Sequence, residues 1–194
     1  MDGSLDEDIQ HRIGRARGVA AQLSALWSQQ HVDLPIKILM CKAIIPPTLL
    51  YGAETWALSA SQTRQLDIAL HQILRQVLDI KLLDRVPNSE VRRRCGQQPD
   101  VAAMTRQARL RFLGHIVRRK PDREGRQHST RALLFATHTT KATGPPRRGG
   151  HCIIDLLNQD LQDLGITRSW YETASTNRPA WRETVKSVTE KSQA

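Results

Sequence analysis

Residues 59–77, with the sequence SASQTRQLDIALHQILRQV, determine the predicted fold class. Ser59 and Gln62 have capping-box spacing, in which two side chains satisfy free backbone N–H groups at the start of a helix. Beyond them, apolar residues recur at steps of three and four, as one face of an α-helix requires. These apolar residues are Leu66, Ala69, Leu70, Ile73 and Val77. The stretch therefore predicts an amphipathic helix that buries one side.

Two more helices are predicted on the N-terminal side of this stretch. The first has a single apolar stripe, formed by Ile9, Ile13, Ala16, Ala20, Leu23 and Trp27. The second is expected to begin at Asp33, with Pro35 tolerated in its first turn. Its predicted buried side consists of Ile36, Leu39, Met40, Ala43 and Ile44. The pattern thus predicts a bundle of three helices within residues 1–88.

The pair Pro46-Pro47 is expected to end or kink the second helix, because proline donates no backbone N–H and clashes with the preceding turn. The hydrophobic residues 48–56 that follow contain a glycine, Gly52, and end at Trp56. Two interpretations remain open for them: a short half-helix, which we favour, or a packed turn.

Helical patterns continue through the C-terminal half, and no alternating strand pattern of useful length occurs. Residues 89–142 are predicted to be a basic segment with helices at 89–95 and 101–119. A linker rich in Gly, Pro and Arg follows at 143–150. In the C-terminal helical segment at 151–194, one helix is expected to stop at Gly165, and two shorter ones to lie around Trp170 and Trp181. We therefore predict an all-α protein, a small bundle followed by a basic helical tail.

The positive charge of the chain is concentrated in its middle third. The formal net charge is +10, and residues 92–150 carry 15 Lys and Arg against 3 Asp and Glu. Concentrated positive charge implies a polyanionic partner, of which nucleic acid is the commonest. The alternative, a solvated basic surface with no dedicated ligand, stays open.

Four stretches, taken together and in order, resemble one protein family. They are LLYGAETW at 49–56, LRQVLDI at 74–80, RLRFLGHIVRR at 109–119, and the closing stretch from Ala174 to Arg182. Their order and spacing are similar to those of the region that follows the polymerase palm in non-LTR (LINE-type) retrotransposon reverse transcriptases. The resemblance implies that residues 1–88 correspond to the thumb, which grips the template–primer duplex, and that the basic tail helps to hold RNA.

The sequence departs from this family in three respects. The palm, with its Tyr-x-Asp-Asp turn, is missing, and so is the endonuclease module. Polymerisation needs carboxylates that hold two metal ions about 3.5–4 Å apart, and no such pair stands on a strand-like segment here. In addition, Ile153 occupies the position of a tryptophan usual before the aspartate of the last long helix. We therefore expect no polymerase activity and no cofactor.

Arginine is the predicted phosphate ligand. Its planar guanidinium makes bidentate contacts with phosphate, and arginine strongly outnumbers lysine in this region. We expect backbone-directed, sequence-nonspecific binding of RNA or of an RNA–DNA hybrid. The predicted contacts are Arg92, Arg93, Arg94, Arg106, Arg109, Arg111, His115, Arg118, Arg119 and Lys120. Packing of His115 against the next helix is an alternative for that residue.

Other functions are weighed against this one. Cys95, His151 and Cys152 lack the paired spacing of a zinc site, so no metal is expected. Trp27 and the tryptophans at 56 and 181 lie on or beside apolar stripes, which favours core anchoring over base stacking. A protein-interaction module is the main alternative, in which an exposed bundle face drives self-association or docking on a reverse transcriptase core.

The compartment is inferred from the cysteines and from the N-terminus. The 3 cysteines are far apart and form no CxxC pair, which fits a reducing compartment. The acidic start lacks the apolar region of a secretory signal. The longest apolar stretch, residues 36–50, is too interrupted to span a bilayer. We expect an intracellular protein, nuclear or cytoplasmic, without a membrane partner.

Overall fold

The computed structural model describes residues 5–119, 153–165 and 170–191. Within these ranges every regular element is helical and no strand occurs, which confirms the all-α prediction. Two short 3₁₀ helices, Ala53–Thr55 and Leu82–Asp84, lie between α-helices. The α-helices are α1 Leu5–Gln22, α2 Ser24–Trp27, α3 Leu34–Leu49, α4 Ala60–Val77, α5 Asn88–Arg94, α6 Val101–Arg118, α7 Ile153–Asp163, α8 Trp170–Thr176 and α9 Arg178–Lys191.

The described residues fall into two compact units. The first comprises residues 5–52 and 60–102, so it continues past the predicted boundary at 88. The second comprises residues 53–59, 103–119, 153–165 and 170–191. The predicted linker at 143–150 lies outside the described residues. No described helix is both long and apolar enough to cross a membrane.

The first unit is built on α1, α3 and α4, each of which packs against the other two. The recurrence of apolar residues at steps of three and four correctly predicted which faces of α1 and α4 are buried. The fully buried residues are Ile9 and Ala16 of α1, Cys41, Ile45 and Leu49 of α3, and Leu66, Leu70, Ile73 and Leu74 of α4.

The predicted buried face of α3 is wrong. Ile36 and Leu39 are 48% and 68% exposed, whereas Cys41 and Ile45 face the core. Apolar residues lie on every side of this helix, with Lys37 and Lys42 among them, so the spacing of its apolar residues does not select one face. Packing against α1 and α4 instead determines which face of α3 is buried. A strip of apolar residues of α3 stays in contact with solvent.

The prediction of a half-helix after Pro46-Pro47 is also wrong. Helix α3 continues through both prolines to Leu49, and the Thr48 hydroxyl donates to the Ile44 carbonyl at 2.7 Å within that last turn. A turn over residues 50–52 follows, in which Gly52 has a φ of +83°. Residues 48–56 are therefore divided among the end of α3, this turn and the 3₁₀ helix Ala53–Thr55, which is closer to the packed turn, the alternative we did not favour.

Side chains from α3 and α4 fix the C-terminal end of the first unit. The Lys42 ammonium donates to the Gly96 carbonyl at 2.6 Å, and the Asp67 carboxylate accepts from the Val101 backbone N–H at 3.1 Å. Burial raises the pKa of the Asp67 carboxyl, which the Val101 hydrogen bond opposes. These contacts hold α5 and the first turn of α6 against the bundle.

The second unit has its own core around Trp181. Trp181 is 2% exposed, and its indole N–H donates to the Leu110 carbonyl at 3.2 Å. Gly165, with a φ of +67°, follows α7 and confirms the predicted helix end. Buried neighbours come from four helices: Leu110, Leu113, Val117, Leu157, Leu161, Ala174, Val185 and Val188.

Candidate nucleic-acid interface

The three arginines of α5 lie in the first unit and have acidic partners. Glu90 accepts from Arg93 Nε at 2.6 Å and from Arg94 Nε at 2.8 Å. These two hydrogen bonds lower the pKa of the Glu90 carboxyl to about 2. Arg92 Nη1 lies 3.7 Å from an Asp100 carboxylate oxygen. Arg93 and Arg94 are exposed but partly neutralised, so a phosphate competes with Glu90 for them.

Replacing Glu90 with glutamine is expected to raise affinity for single-stranded RNA severalfold at low salt. The change removes one negative charge beside Arg93 and Arg94 and weakens their hydrogen bonds, because glutamine keeps only one neutral acceptor oxygen. Fluorescence anisotropy at neutral pH, far above the lowered pKa of Glu90, measures the effect. Glu7→Gln on α1 removes the same charge elsewhere and serves as the control. Equal affinities of the two variants would show that the α5 arginines do not contact RNA.

Arg106 and Arg109 have a structural role in the second unit. Arg109 is 7% exposed, and its Nη2 lies 2.7 Å from Asp160 Oδ2. Arg106 Nε lies 2.9 Å from the other oxygen of Asp160, and its Nη2 lies 2.9 Å from Asp163. Carboxylates of the same unit therefore neutralise the charge of both guanidinium groups. These ion pairs occupy the two guanidinium groups that were predicted to contact phosphate.

Three other predicted contacts on α6 share one side of the helix. Arg111 and His115 are exposed, as their spacing predicted. Arg118 is partly buried, and its Nη1 donates to the Ala174 carbonyl at 2.8 Å. Arg119 is exposed at the end of the helix, and Lys120 lies outside the described residues.

A row of basic residues on α9 faces this side of α6 and was missed by the sequence analysis. Gln107 of α6 hydrogen-bonds Val185 and Thr189, whereas Leu110, further along α6, accepts from Trp181, so α9 runs antiparallel to α6. The two helices border a groove of about 460 Å³. We call it the cationic groove; its charged lining residues are Arg111, Arg118, Arg178, Arg182, Glu183 and Lys186.

The α9 residues had a detectable signal. Arg178, Arg182 and Lys186 are spaced by four, which places them on one face of a helix. Acidic residues elsewhere in the C-terminal segment cancel the charge of these three residues. The net charge of the whole segment therefore does not reveal the basic row. Helical spacing, rather than net charge, identifies this row.

Arg118 and Arg178 make the inner part of the groove strongly positive. Burial lowers the pKa of the Arg118 guanidinium, and the nearby positive charge of Arg178 lowers it further. Two like charges repel each other when no anion lies between them. A phosphate that enters the groove would relieve this repulsion and receive donors from both helices.

The described residues offer little support for other kinds of site. No three His, Cys, Asp or Glu side chains among them are placed to hold a metal ion. Trp27, Trp56 and Trp181 are 8%, 5% and 2% exposed, which confirms that all three anchor cores. Burial raises the pKa of the Cys41 and Cys95 thiols to about 12 and about 11, which disfavours the reactive thiolate.

Comparisons of this chain with protein-family models, with curated proteins and with solved structures found no match. The family resemblance of the four stretches therefore stays a prediction. The groove and its charges are the physical basis on which a function can be assigned.

Proposed function

We propose that this chain is a non-catalytic nucleic-acid-binding fragment. It corresponds to the thumb and C-terminal region of a non-LTR retrotransposon reverse transcriptase, and it binds RNA or an RNA–DNA hybrid through phosphates. The observation that carries this proposal is the cationic groove, which is lined by Arg118 of α6 and Arg178 of α9, two like charges that act on each other.

The charges of the groove support phosphate as the ligand. Among the described residues, four arginines and one lysine line it, against a single carboxylate from Glu183. Asp160 and Asp163 neutralise Arg106 and Arg109, whereas Glu183 is the only acidic residue in the described part of the groove lining. Backbone recognition of this kind is steeply salt dependent and largely independent of base sequence.

The proposal predicts that changing Arg178, Arg182 and Lys186 to glutamine weakens RNA binding strongly at low salt. Removing one phosphate-binding side chain reduces the slope of log affinity against log salt by about one. Fluorescence anisotropy with single-stranded RNA and with an RNA–DNA hybrid, over a salt series, measures both quantities. The three side chains are exposed on α9, so their replacement leaves the Trp181 core intact.

A matched variant controls for net charge. Arg15, Arg64 and Lys81 are exposed residues of the first unit, and their change to glutamine also removes two arginines and one lysine. This variant is expected to keep most of the affinity. Equal losses in both variants would contradict a dedicated site and leave only nonspecific attraction.

A second function, a protein-interaction module, is favoured by the exposed apolar residues of the first unit. Leu39 is 68% exposed, and Leu82 and Leu83 are 79% and 89% exposed. Contiguous exposed apolar surface promotes association with another protein or with a second copy. Sedimentation over a concentration series separates the two functions, because an interaction module changes size with concentration and binds little RNA.

A further inference from the structure

A second recess, which Arg111 shares with the cationic groove, lies in the second unit. Its volume is about 320 Å³, and it is lined by Glu54, Ala108, Arg111, Phe112 and His115. Arg111 also lines the cationic groove, so this side chain borders both spaces. A ligand that fills the groove and the recess together therefore passes Arg111.

The chemistry of the recess differs from that of the groove. Phe112 is half-buried and His115 is exposed, which offers two aromatic rings beside the small Ala108 side chain. Aromatic faces of this kind stack with nucleobases whatever their sequence. The 3₁₀ helix Ala53–Thr55 adds the carboxylate of Glu54, which accepts hydrogen bonds and donates none when ionised.

We propose that this recess binds an unpaired nucleobase of the strand whose phosphates lie in the cationic groove. The inference deepens the proposed function and rests on it, since it specifies that the preferred ligand is single-stranded. Bases inside a duplex are stacked and paired, so they cannot enter a recess of this kind. Phe112 and His115 stack on the base, and Arg111 contacts the adjoining phosphate.

Glu54 adds a preference among bases. Cytosine presents an exocyclic amino group, which a carboxylate accepts well, whereas thymine and uracil present carbonyls on the corresponding edge. The site therefore favours cytosine over thymine. His115, predicted from the sequence as a phosphate contact, instead becomes a base contact.

The test compares fluorescence anisotropy of four probes of equal length with the full chain. The probes are oligodeoxycytidylate, oligothymidylate, an abasic deoxyribose-phosphate strand and a duplex. We expect the cytidylate strand to bind roughly tenfold more tightly than the abasic strand, because base–aromatic stacking is worth on the order of that factor per base. The duplex is expected to bind no better than the abasic strand.

Two variants assign the effect to the recess. His115→Ala is expected to weaken binding of oligodeoxycytidylate severalfold and to leave the abasic strand unchanged, because an exposed helical histidine is not needed for folding. His11→Ala, an exposed histidine on α1, is the matched control. Glu54→Ala is expected to abolish the preference for cytidylate over thymidylate.

Each contrary outcome has a distinct meaning. Equal binding of cytidylate and abasic strands, with binding still strongly weakened in the Arg178, Arg182 and Lys186 variant, overturns the base site and leaves the proposed function standing. A His115→Ala variant that weakens both strands alike also overturns it, since that result makes His115 a phosphate contact. Absence of binding to every probe, with RNA included, overturns both proposals.

Discussion

Replacing Asp160 with asparagine is expected to destabilise the second unit by about 3–5 kcal/mol, the cost of leaving a buried charge without its partner. Asp160 is 3% exposed, and its two carboxylate oxygens receive donors from two arginines. Asparagine keeps the shape but removes the charge and one acceptor. The guanidinium of Arg109, buried beside it, then lacks a counter-ion.

Urea unfolding followed by circular dichroism measures this effect. Asp163→Asn is the control, because Asp163 is 43% exposed and contacts Arg106 only at the surface. A surface ion pair of that kind contributes about 0–1 kcal/mol. A second variant, with Asp160→Leu and Arg109→Met together, is expected to recover most of the loss, since it removes both buried charges. Equal stability of the Asp160 and Asp163 variants would contradict the structural role of Arg109.

Helices α1 and α4 show what the sequence predicts well. Each has apolar residues at steps of three and four on one side and polar residues on the other, so local period and burial agree. Residues such as Ile9 and Ile13 in α1, and Leu66 and Leu70 in α4, are buried as expected. When a helix has a clear polar face, its buried face can be predicted from the sequence without knowledge of the neighbouring helices.

Helix α3 shows where this reasoning fails. Apolar residues lie on all of its sides. The spacing of these residues by three and four therefore assigned Leu39 to the core, although Leu39 is 68% exposed. The predicted end of the helix at Pro46-Pro47 was wrong for a related reason. That prediction considered only the backbone hydrogen bonds that proline removes and not tertiary packing. Burial of Ile45 and Leu49 on α1 and α4 stabilises the helix through its last turn.

For a similar reason, the sequence predicted only part of the candidate site. The pairing of Glu90 with Arg93 and Arg94 is local, at spacings of three and four, and could be read from the sequence. The pairing of Arg109 with Asp160 joins residues far apart in the chain, and only the fold reveals it. Charge counts identified the arginines, but tertiary partners decide which of them remain open to phosphate.

Replacing Gly114 with alanine is expected to destabilise the second unit by about 3 kcal/mol, because a methyl group added there forces the Trp181 ring out of place. A Cβ built on Gly114 would clash with Trp181 Nε1 and would lie 2.6 Å from Trp181 Cδ1. The displaced indole would lose its hydrogen bond to the Leu110 carbonyl. A buried N–H without a partner adds about 1–3 kcal/mol to the cost.

Gly18→Ala is the matched control, since Gly18 lies inside α1 and a Cβ added there meets nothing within 4 Å. Alanine at that position is expected to stabilise the chain by about 0.5–1 kcal/mol, the usual difference between alanine and glycine in a helix. Urea unfolding therefore yields shifts of opposite sign for the two glycines. A neutral or stabilising Gly114→Ala would contradict the close packing of Trp181.

A double variant tests whether the two residues act on each other. Trp181→Ala removes the indole that the new methyl group would strike, so Gly114→Ala is expected to cost less in that background than in the parent chain. Gly114 belongs to the RLRFLGHIVRR stretch and Trp181 to the closing stretch, two of the four on which the family resemblance depends. A coupling between them would mean that these two stretches, distant in sequence, form the two sides of one packing contact that also supports the walls of the cationic groove.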